Sequence, residues 1–467
     1  METPMHRPPF HLGPRLQRTL FTLTITLALG SCGGGGGADN GVAAATGCST
    51  GELNGWLASY MDEWYFWRGA SPTPAPSGDV SLASYFAALL YRGGTPFPAD
   101  RWSYTETTAS FTRLFGDGQS LGYGISVAGL EVTGQPAQPL YVRYVEALSP
   151  AAAAGVRRGD RVLAINGVAS ATVIASNDFS ALTASAEGQT LLLSLQGTDG
   201  VQRSVSLSSR VFALTPLAQD AVLTSAGGRK LGYVVVKDMI SQVATPLDAA
   251  FGRLRAAGVQ SVVLDLRYNG GGLVSVAGAI GSYLGGPRAE GRVFASLLYN
   301  ERRAASNNTS YRFSNPATAL DSARVYVLAG PRTCSASELV VNGLRGAGLD
   351  VVVIGGTSCG KPVGFLPTSQ CGTTFNVVNF EAVNDRGEGR YVDGIAATCP
   401  VAEDFTQALG SSSEPLLSAA LQHADTGRCP APAAGQSQAQ ALAAGAAADR
   451  LKLRVQDGGE RPGMLDR

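Results

Sequence analysis

Ser335 and Lys361 are the residues of this chain whose types and settings suit covalent chemistry. A hydroxyl becomes a nucleophile when a nearby base takes its proton, and a lysine amine becomes such a base once burial removes its charge. The lysine is conspicuous because four of the 36 basic residues are lysines: Lys230, Lys237, Lys361 and Lys452. An arginine could not serve, since a guanidinium does not deprotonate in proteins. A different arrangement, the Ser-His-Asp triad, lacks material. Of three histidines, His6 and His11 fall in a segment read below as removed, which leaves His423. The same scarcity, with no His-rich or paired-Cys spacing, gives no zinc site, and no metal or cofactor is expected.

The elements around the pair read strand, turn, helix, strand, turn. Val325 to Leu328 is an apolar run suited to a buried strand, broken by Gly330 and Pro331. Ser335-Ala336-Ser337-Glu338 then opens a segment whose apolar Leu339, Val340 and Leu344 follow helical spacing, ended by Gly346 and Gly348. Ser335 therefore sits at a helix N-terminus. The competing reading of Ser-x-x-Glu at that place is a capping box, in which the two side chains satisfy free backbone amides. Val351 to Ile354 is a second β-branched run, closed by Gly355-Gly356, and Lys361 follows it.

Three ordered motifs, Leu264-Asp265-Leu266-Arg267-Tyr268-Asn269-Gly270-Gly271-Gly272, Ser335-Ala336-Ser337-Glu338 and Gly360-Lys361, resemble those of the C-terminal processing (tail-specific) serine proteases, the S41 peptidases. The resemblance implies Ser335 as nucleophile, Lys361 as general base, and an oxyanion hole from backbone amides at Gly271 or Gly272 and at Ala336. Physical chemistry agrees, since glycines let amides approach a developing oxyanion and a helix N-terminus adds positive potential. Many family members carry a glutamine four residues after the lysine. This chain has Phe365 there, which cannot replace it, so another group must orient the amine, with Glu338, Ser337 and Ser358 as candidates. Cys334 adjoins Ser335, but an exported thiol is usually oxidised or buried, which argues against it as the nucleophile.

Ser149-Pro150-Ala151 through Gly159-Asp160-Arg161-Val162-Leu163-Ala164-Ile165-Asn166-Gly167 closely resembles a PDZ domain. Gly122-Tyr123-Gly124-Ile125 matches that family's carboxylate-binding loop, where backbone amides receive a peptide C-terminus while the peptide adds a strand to a sheet edge. At the N-terminus, Arg7, Arg15 and Arg18 precede an apolar stretch from Leu20 to Leu29 that is too short to span a bilayer. Leu29-Gly30-Ser31-Cys32 then resembles a bacterial lipoprotein signal, which implies cleavage before Cys32 and lipidation of its thiol. That places the chain in the bacterial cell envelope, lipid-anchored and facing the periplasm or exterior.

At 467 residues and 45% hydrophobic the chain is long enough for several cored domains. Acidic and basic residues balance at 36 each, so neither nucleic acid nor anionic lipid is drawn by net charge. The expected organisation is a signal peptide over 1–31, a glycine tether over 32–47, a helical cap over 48–116, a β-rich PDZ domain over 117–210, a protease core over 211–424, and a low-complexity tail over 425–467. The cap carries Leu53, Trp56, Leu57, Tyr60, Met61 and Trp64 on one helical stripe, with a second helix over 81–91. Strands are expected over 140–145, 161–165 and 191–195, and beyond residue 210 strands and helices alternate. The fold class is thus multidomain α/β and α+β, with the resemblance implying a crotonase-like α/β core. Six cysteines besides Cys32 suggest disulfides, with Cys359–Cys371 and Cys399–Cys429 favoured as the shortest excursions. The tail from Arg428 reads as mostly disordered or loosely docked, with a helix possible over 436–454.

These features together imply an exported serine endopeptidase that cuts near the C-terminus of protein substrates captured by the PDZ domain. The competing class is a catalytically impaired lipoprotein that binds peptide C-termini. A lyase or isomerase of the crotonase type has no use for a Ser-Lys pair.

Overall fold

A computed structural model describes residues 44–322, 324–431 and 463–466. Cys32 and the expected signal, most of the tether, and the possible helix over 436–454 lie outside the described residues. Among the described residues, no helix is long and apolar enough to cross a membrane.

The helical segment begins with α1 (Thr50–Trp64), which Ser49 and Glu52 start by a reciprocal capping box. Leu53, Trp56, Leu57, Tyr60, Met61 and Trp64 all fall on its buried face. Ser81 caps α2 (Leu82–Leu89), and α3 (Thr108–Phe115) follows the strand Tyr104–Thr107. This segment has no core of its own. Trp56, Tyr60 and Trp64 belong to one hydrophobic cluster with Phe365, Phe375 and Phe380, and Tyr104–Thr107 pairs with Thr373–Asn376.

The second region has its own core, built from residues between Tyr123 and Leu207. Its sheet runs in the order β1 (Ile125–Val127), β2 (Leu140–Val145), β3 (Arg161–Ile165), β4 (Thr190–Gln196) and β5 (Gln202–Ser208), with Val168–Ala169 paired to β3. The short β1 is an edge strand, open to one further strand on its free side.

The third region contains two six-stranded sheets. Its elements in chain order are β6 (Leu217–Thr224), β7 (Lys230–Val236), α4 (Ala244–Ala256), β8 (Ser261–Asp265), β9 (Gly271–Leu273), α5 (Val274–Ala289), β10 (Val293–Tyr299), β11 (Thr309–Arg312), β12 (Arg324–Ala329), α6 (Ala336–Gly346), β13 (Asp350–Gly355), β14 (Val363–Phe365), β15 (Val378–Val383), β16 (Cys399–Pro400), α7 (Pro415–Thr426) and β17 (Gly463–Leu465). The first sheet has the order β6-β7-β8-β12-β13-β16 and is parallel from β7 onward. Its strands read as continuous apolar runs because both faces are covered. Val262, Leu264, Val325, Val327, Val351 and Val353 face the core shared with α4, α5 and α6, while Val263, Tyr326, Leu328, Val352 and Ile354 face α7. The second sheet has the order β9-β17-β14-β15-β10-β11.

Two expectations are corrected here. Cys371 sits at positive φ in the hairpin turn between Thr368–Gln370 and Thr373–Asn376, and it bonds Cys48 rather than Cys359. Cys359 bonds Cys334, and Cys399 bonds Cys429. The shortest excursion along the chain was a poor guide because the turn carrying Cys371 packs beside the start of α1. The tail is also more than a loose appendage, since β17 is an interior strand of a sheet.

Candidate active site

Three loops leave the C-terminal ends of β8, β12 and β13, which are neighbours in the parallel sheet. In α/β sheets such ends are where sites form. The first loop carries Asn269, whose Nδ2 donates to Val236 O at 2.9 Å. Its Oδ1 accepts from Gly271 N and from Ser337 Oγ, both at 2.8 Å, and its carbonyl accepts from Cys334 N at 3.1 Å. The second loop, from Gly330 to Ser335, is joined to the first by Thr333 Oγ1 donating to Leu266 O at 2.8 Å. The third loop, from Gly356 to Lys361, is joined to the second by Cys359 N donating to Thr333 O at 3.0 Å and by the Cys334–Cys359 disulfide. Cys334 therefore has no free thiol to act as a nucleophile.

Ser335 is fully buried at the N-cap of α6, with φ 61° and ψ −115°. A non-glycine residue at such angles costs about 1–3 kcal/mol, a strain typical of functional turns. The capping motif is formed from one side. Glu338 accepts from Ser335 N at 2.8 Å, whereas Ser335 Oγ has no hydrogen-bond partner and so is not bonded to Lys361.

Glu338 is the hub that brings the two residues together. Its Oε2 accepts from the backbone amides of Ser335 and Lys361, both at 2.8 Å, and its Oε1 accepts from Gly360 N at 2.8 Å and Ser358 Oγ at 2.5 Å. Burial pushes its carboxyl pKa up, and the four donors oppose that rise. Glu338 was one of three candidates for orienting the lysine, but its hold is on the main chain.

Lys361 is fully buried, and burial pushes its amine well below the ordinary lysine pKa against the carboxylates of Asp100 and Glu338. Its Nζ lies 3.8 Å from the centroid of the Phe365 ring. The ring stands against the amine, and Tyr104 packs on that ring at a centroid separation of 5.8 Å. Sequence spacing points to position 365, four residues after the lysine, but not to a ring face against the amine.

The glycine motif divides into two kinds of amide. Gly271 N is spent on Asn269. Gly272 has φ 141°, and a Cβ there would fall 2.2 Å from Met239 O. Met239 N donates to Gly271 O and Leu273 N donates to Met239 O. The polar groups of Gly272 therefore turn to the opposite edge of β9, toward β17. Ala336 N is the first amide of α6, which helix geometry leaves without an intrahelical acceptor.

The Gly122-Tyr123-Gly124-Ile125 stretch lies apart from these loops, at the start of edge strand β1. It lines a cavity of about 470 Å³ together with Glu146, Leu182, Phe212 and Lys237. Gly124 has φ 73°, and a Cβ there would fall 2.0 Å from the Ser149 Cβ. Lys237 is 5% exposed, 3.9 Å from Glu146 and 3.5 Å from Asp238. It stands two residues before Met239, the neighbour of Gly272. A second link was also missed in the sequence. Arg158, next to β3, donates to Tyr268 Oη and to Glu403, and Glu403 also binds Tyr268 and Arg267. Arg267 is in turn paired with Asp265 and Glu414. The PDZ-like region thereby touches the glycine motif through a buried ionic network. Two Cys-containing acid or histidine clusters, Cys334/Glu338/Cys359 and Cys399/His423/Cys429, offer no thiolate ligands because their sulfurs are disulfide-bonded.

Residues 230–398 match peptidase family S41, residues 141–197 match the PDZ domain, and residues 52–104 match the peptidase S41 N-terminal domain. The chain carries a family S41 peptidase domain. The S41 domain contains β7 to β15 and all three site loops. The PDZ match begins after Gly122–Ile125, so that stretch is tied to the PDZ domain by β1 pairing with β2. Among relatives, the carboxyl-terminal-processing protease of Picosynechococcus sp. is 28% identical over 210 residues, covering 44% of this chain and 47% of the relative. The chloroplastic carboxyl-terminal-processing peptidase 1 of Arabidopsis thaliana is 28% identical over 214 residues, covering 46% and 42%. The chain thus spans about half the length of these curated relatives. A crystal structure of a putative S41 protease from Bacteroides fragilis NCTC 9343 superposes with a TM-score of 0.63 at 23% identity, over 80% of this chain and 97% of that one. At that identity the likeness establishes a shared S41 fold.

Proposed function

We propose that this chain is a serine endopeptidase that hydrolyses peptide bonds near the C-termini of protein substrates, with Ser335 as nucleophile and Lys361 as general base. The observation that carries this reading is a buried amine and a buried hydroxyl on adjacent strand ends, fastened through their main chains to one carboxylate. The amine of Lys361 takes the Ser335 hydroxyl proton as Oγ attacks the scissile carbonyl. Gly272 N and Ala336 N hold the oxyanion, each donor contributing about 3 kcal/mol in the transition state. The proton passes to the departing amine, and water then attacks the acyl-enzyme with Lys361 again as base. Ser335 and Lys361 share no hydrogen bond at rest, and such contacts often tighten only when substrate is bound. The Gly122–Ile125 loop captures the substrate's C-terminal carboxylate and raises the local concentration of substrate at the site. Cys32 carries a lipid that anchors the protein in the bacterial cell envelope, facing the periplasm or exterior.

A second reading, a peptide-binding lipoprotein without catalysis, is favoured by the lack of a hydrogen bond between Ser335 Oγ and the amine. Incubation of the purified protein with an unfolded protein bearing an apolar C-terminus separates the two. Cleavage by wild type that Ser335→Ala and Lys361→Ala each abolish supports the peptidase. Equal binding by all three without cutting leaves the binder.

A further inference from the structure

The slot between β9 and β14 is one strand wide, and residues 463–466 of this same chain fill it. Among the described residues β9 and β14 are not neighbours, because β17 lies between them. It runs parallel to both, with Gly463 opposite Gly271, Met464 opposite Gly272, and Leu465 opposite both Leu273 and Phe365. Met464 and Leu465 are buried. Gly364 lets the inserted backbone approach, since a Cβ there would lie 2.6 Å from Met464 O. Asp466 N donates to Phe365 O at 3.0 Å, and the hydroxyls of Tyr299 and Tyr311 donate to the Asp466 carboxylate. The edge of Gly272 that carries its amide faces this strand, and α6 packs against it.

We infer that residues 463–466 are a ligand held in cis by the candidate active site. They fill the slot a substrate strand would enter, which names the peptide class the slot reads: two apolar residues followed by an acidic one, with Tyr299 and Tyr311 selecting the acid. Strand addition supplies affinity through main-chain bonds, and the tyrosine pair supplies specificity. The occupant must leave before another polypeptide binds, so the intact chain is self-inhibited. The inhibition rests on the peptidase reading, whereas the binding does not.

The test uses a chain ending at Pro462, made in the Ser335→Ala background, and a fluorescent Gly-Met-Leu-Asp-Arg peptide with an amidated C-terminus. Amidation removes the carboxylate that the Gly122–Ile125 loop would need. The shortened protein should bind this peptide at least tenfold more tightly than the full-length Ser335→Ala protein. An Asp-to-Asn change in the peptide should cost about tenfold, and Tyr299→Phe with Tyr311→Phe should abolish that discrimination. If the shortened protein does not fold, full-length Asp466→Ala should take up the labelled peptide where the parent does not. Equal binding to full-length and shortened or Asp466→Ala proteins, or no loss with the Asn peptide, overturns the proposal. With Ser335 restored, the shortened chain should cut an unfolded protein several-fold faster than the full chain, and the amidated peptide should inhibit it competitively. Absence of cleavage in both chains, with peptide binding retained, refutes the peptidase reading and leaves the cis ligand standing.

Discussion

Replacing Glu338 by glutamine would separate what its charge does from what its volume does. Four donors converge on the carboxylate: the amides of Ser335, Gly360 and Lys361 and the hydroxyl of Ser358. A carboxamide has one accepting oxygen. That oxygen is best spent on the Ser335 and Lys361 amides at the Oε2 position, which turns an NH2 group toward Gly360 N and Ser358 Oγ. Ser358 can rotate to accept, but the Gly360 amide loses its partner, at about 1–3 kcal/mol. The two bonds that remain lose their charge assistance, at about 1 kcal/mol together. The expected destabilisation is about 2–4 kcal/mol, or about 4–16 °C in Tm at 2–4 °C per kcal/mol. Because the same bonds set the main chain of the nucleophile and of the base, kcat should fall more than tenfold with little change in KM. Scanning fluorimetry reads the first effect, and hydrolysis of an unfolded protein reads the second. A Glu338→Gln protein with unaltered Tm and kcat would refute the assignment of Glu338 as the hub.

Lys361→Met tests the buried amine through stability. Burial holds the folded pKa below the unfolded value of 10.5, so between them the unfolded chain carries the extra proton and wild type loses stability as pH falls. The methionine variant lacks this slope, so denaturant titrations should find it more stable than wild type at low pH, with the gap closing toward pH 10.5. Phe365→Leu removes a ring face that favours the ammonium form, so the rising limb of the pH–activity profile should move to lower pH. An unmoved or higher midpoint would count against contact between ring and amine. Cys334→Ala with Cys359→Ala opens a crosslink of separation 25, and Cys399→Ala with Cys429→Ala opens one of separation 30. Loop-closure entropy gives both about 3–4 kcal/mol of stability, but kcat should fall markedly in the first double variant alone.

Legibility in the sequence followed local physical rules. The strands β2 and β3 stand over the residues expected, since each is a short apolar run closed by turn residues. Ser335 could be put at a helix start because Leu339, Val340 and Leu344 repeat at helical spacing. The helix α5 was not read, because Gly278, Gly281, Gly285 and Gly286 weaken helix propensity. Tertiary packing overrides that loss where Gly281 admits Phe294 and Phe313, whose rings would lie 3.0 Å from a Cβ. The Cys48–Cys371 bond joins residues 323 apart, and no local rule finds it. The place of the final described strand in the second sheet also follows from tertiary pairing that residue types do not announce. Composition alone made the tail look mostly disordered or loosely docked, yet it contains Met464 and Leu465, which pair with strands from distant parts of the chain.

The loops bearing Asn269, Ser335 and Lys361 spring from three consecutive rungs of a parallel lattice. Neighbouring rungs in any sheet stand about 4.8 Å apart, a pitch set by main-chain bonding and indifferent to side chains. The gauge of the site is therefore fixed by the peptide backbone itself. Mutations in the loops can alter the side chains that surround the site, but widening the track would require breaking the sheet.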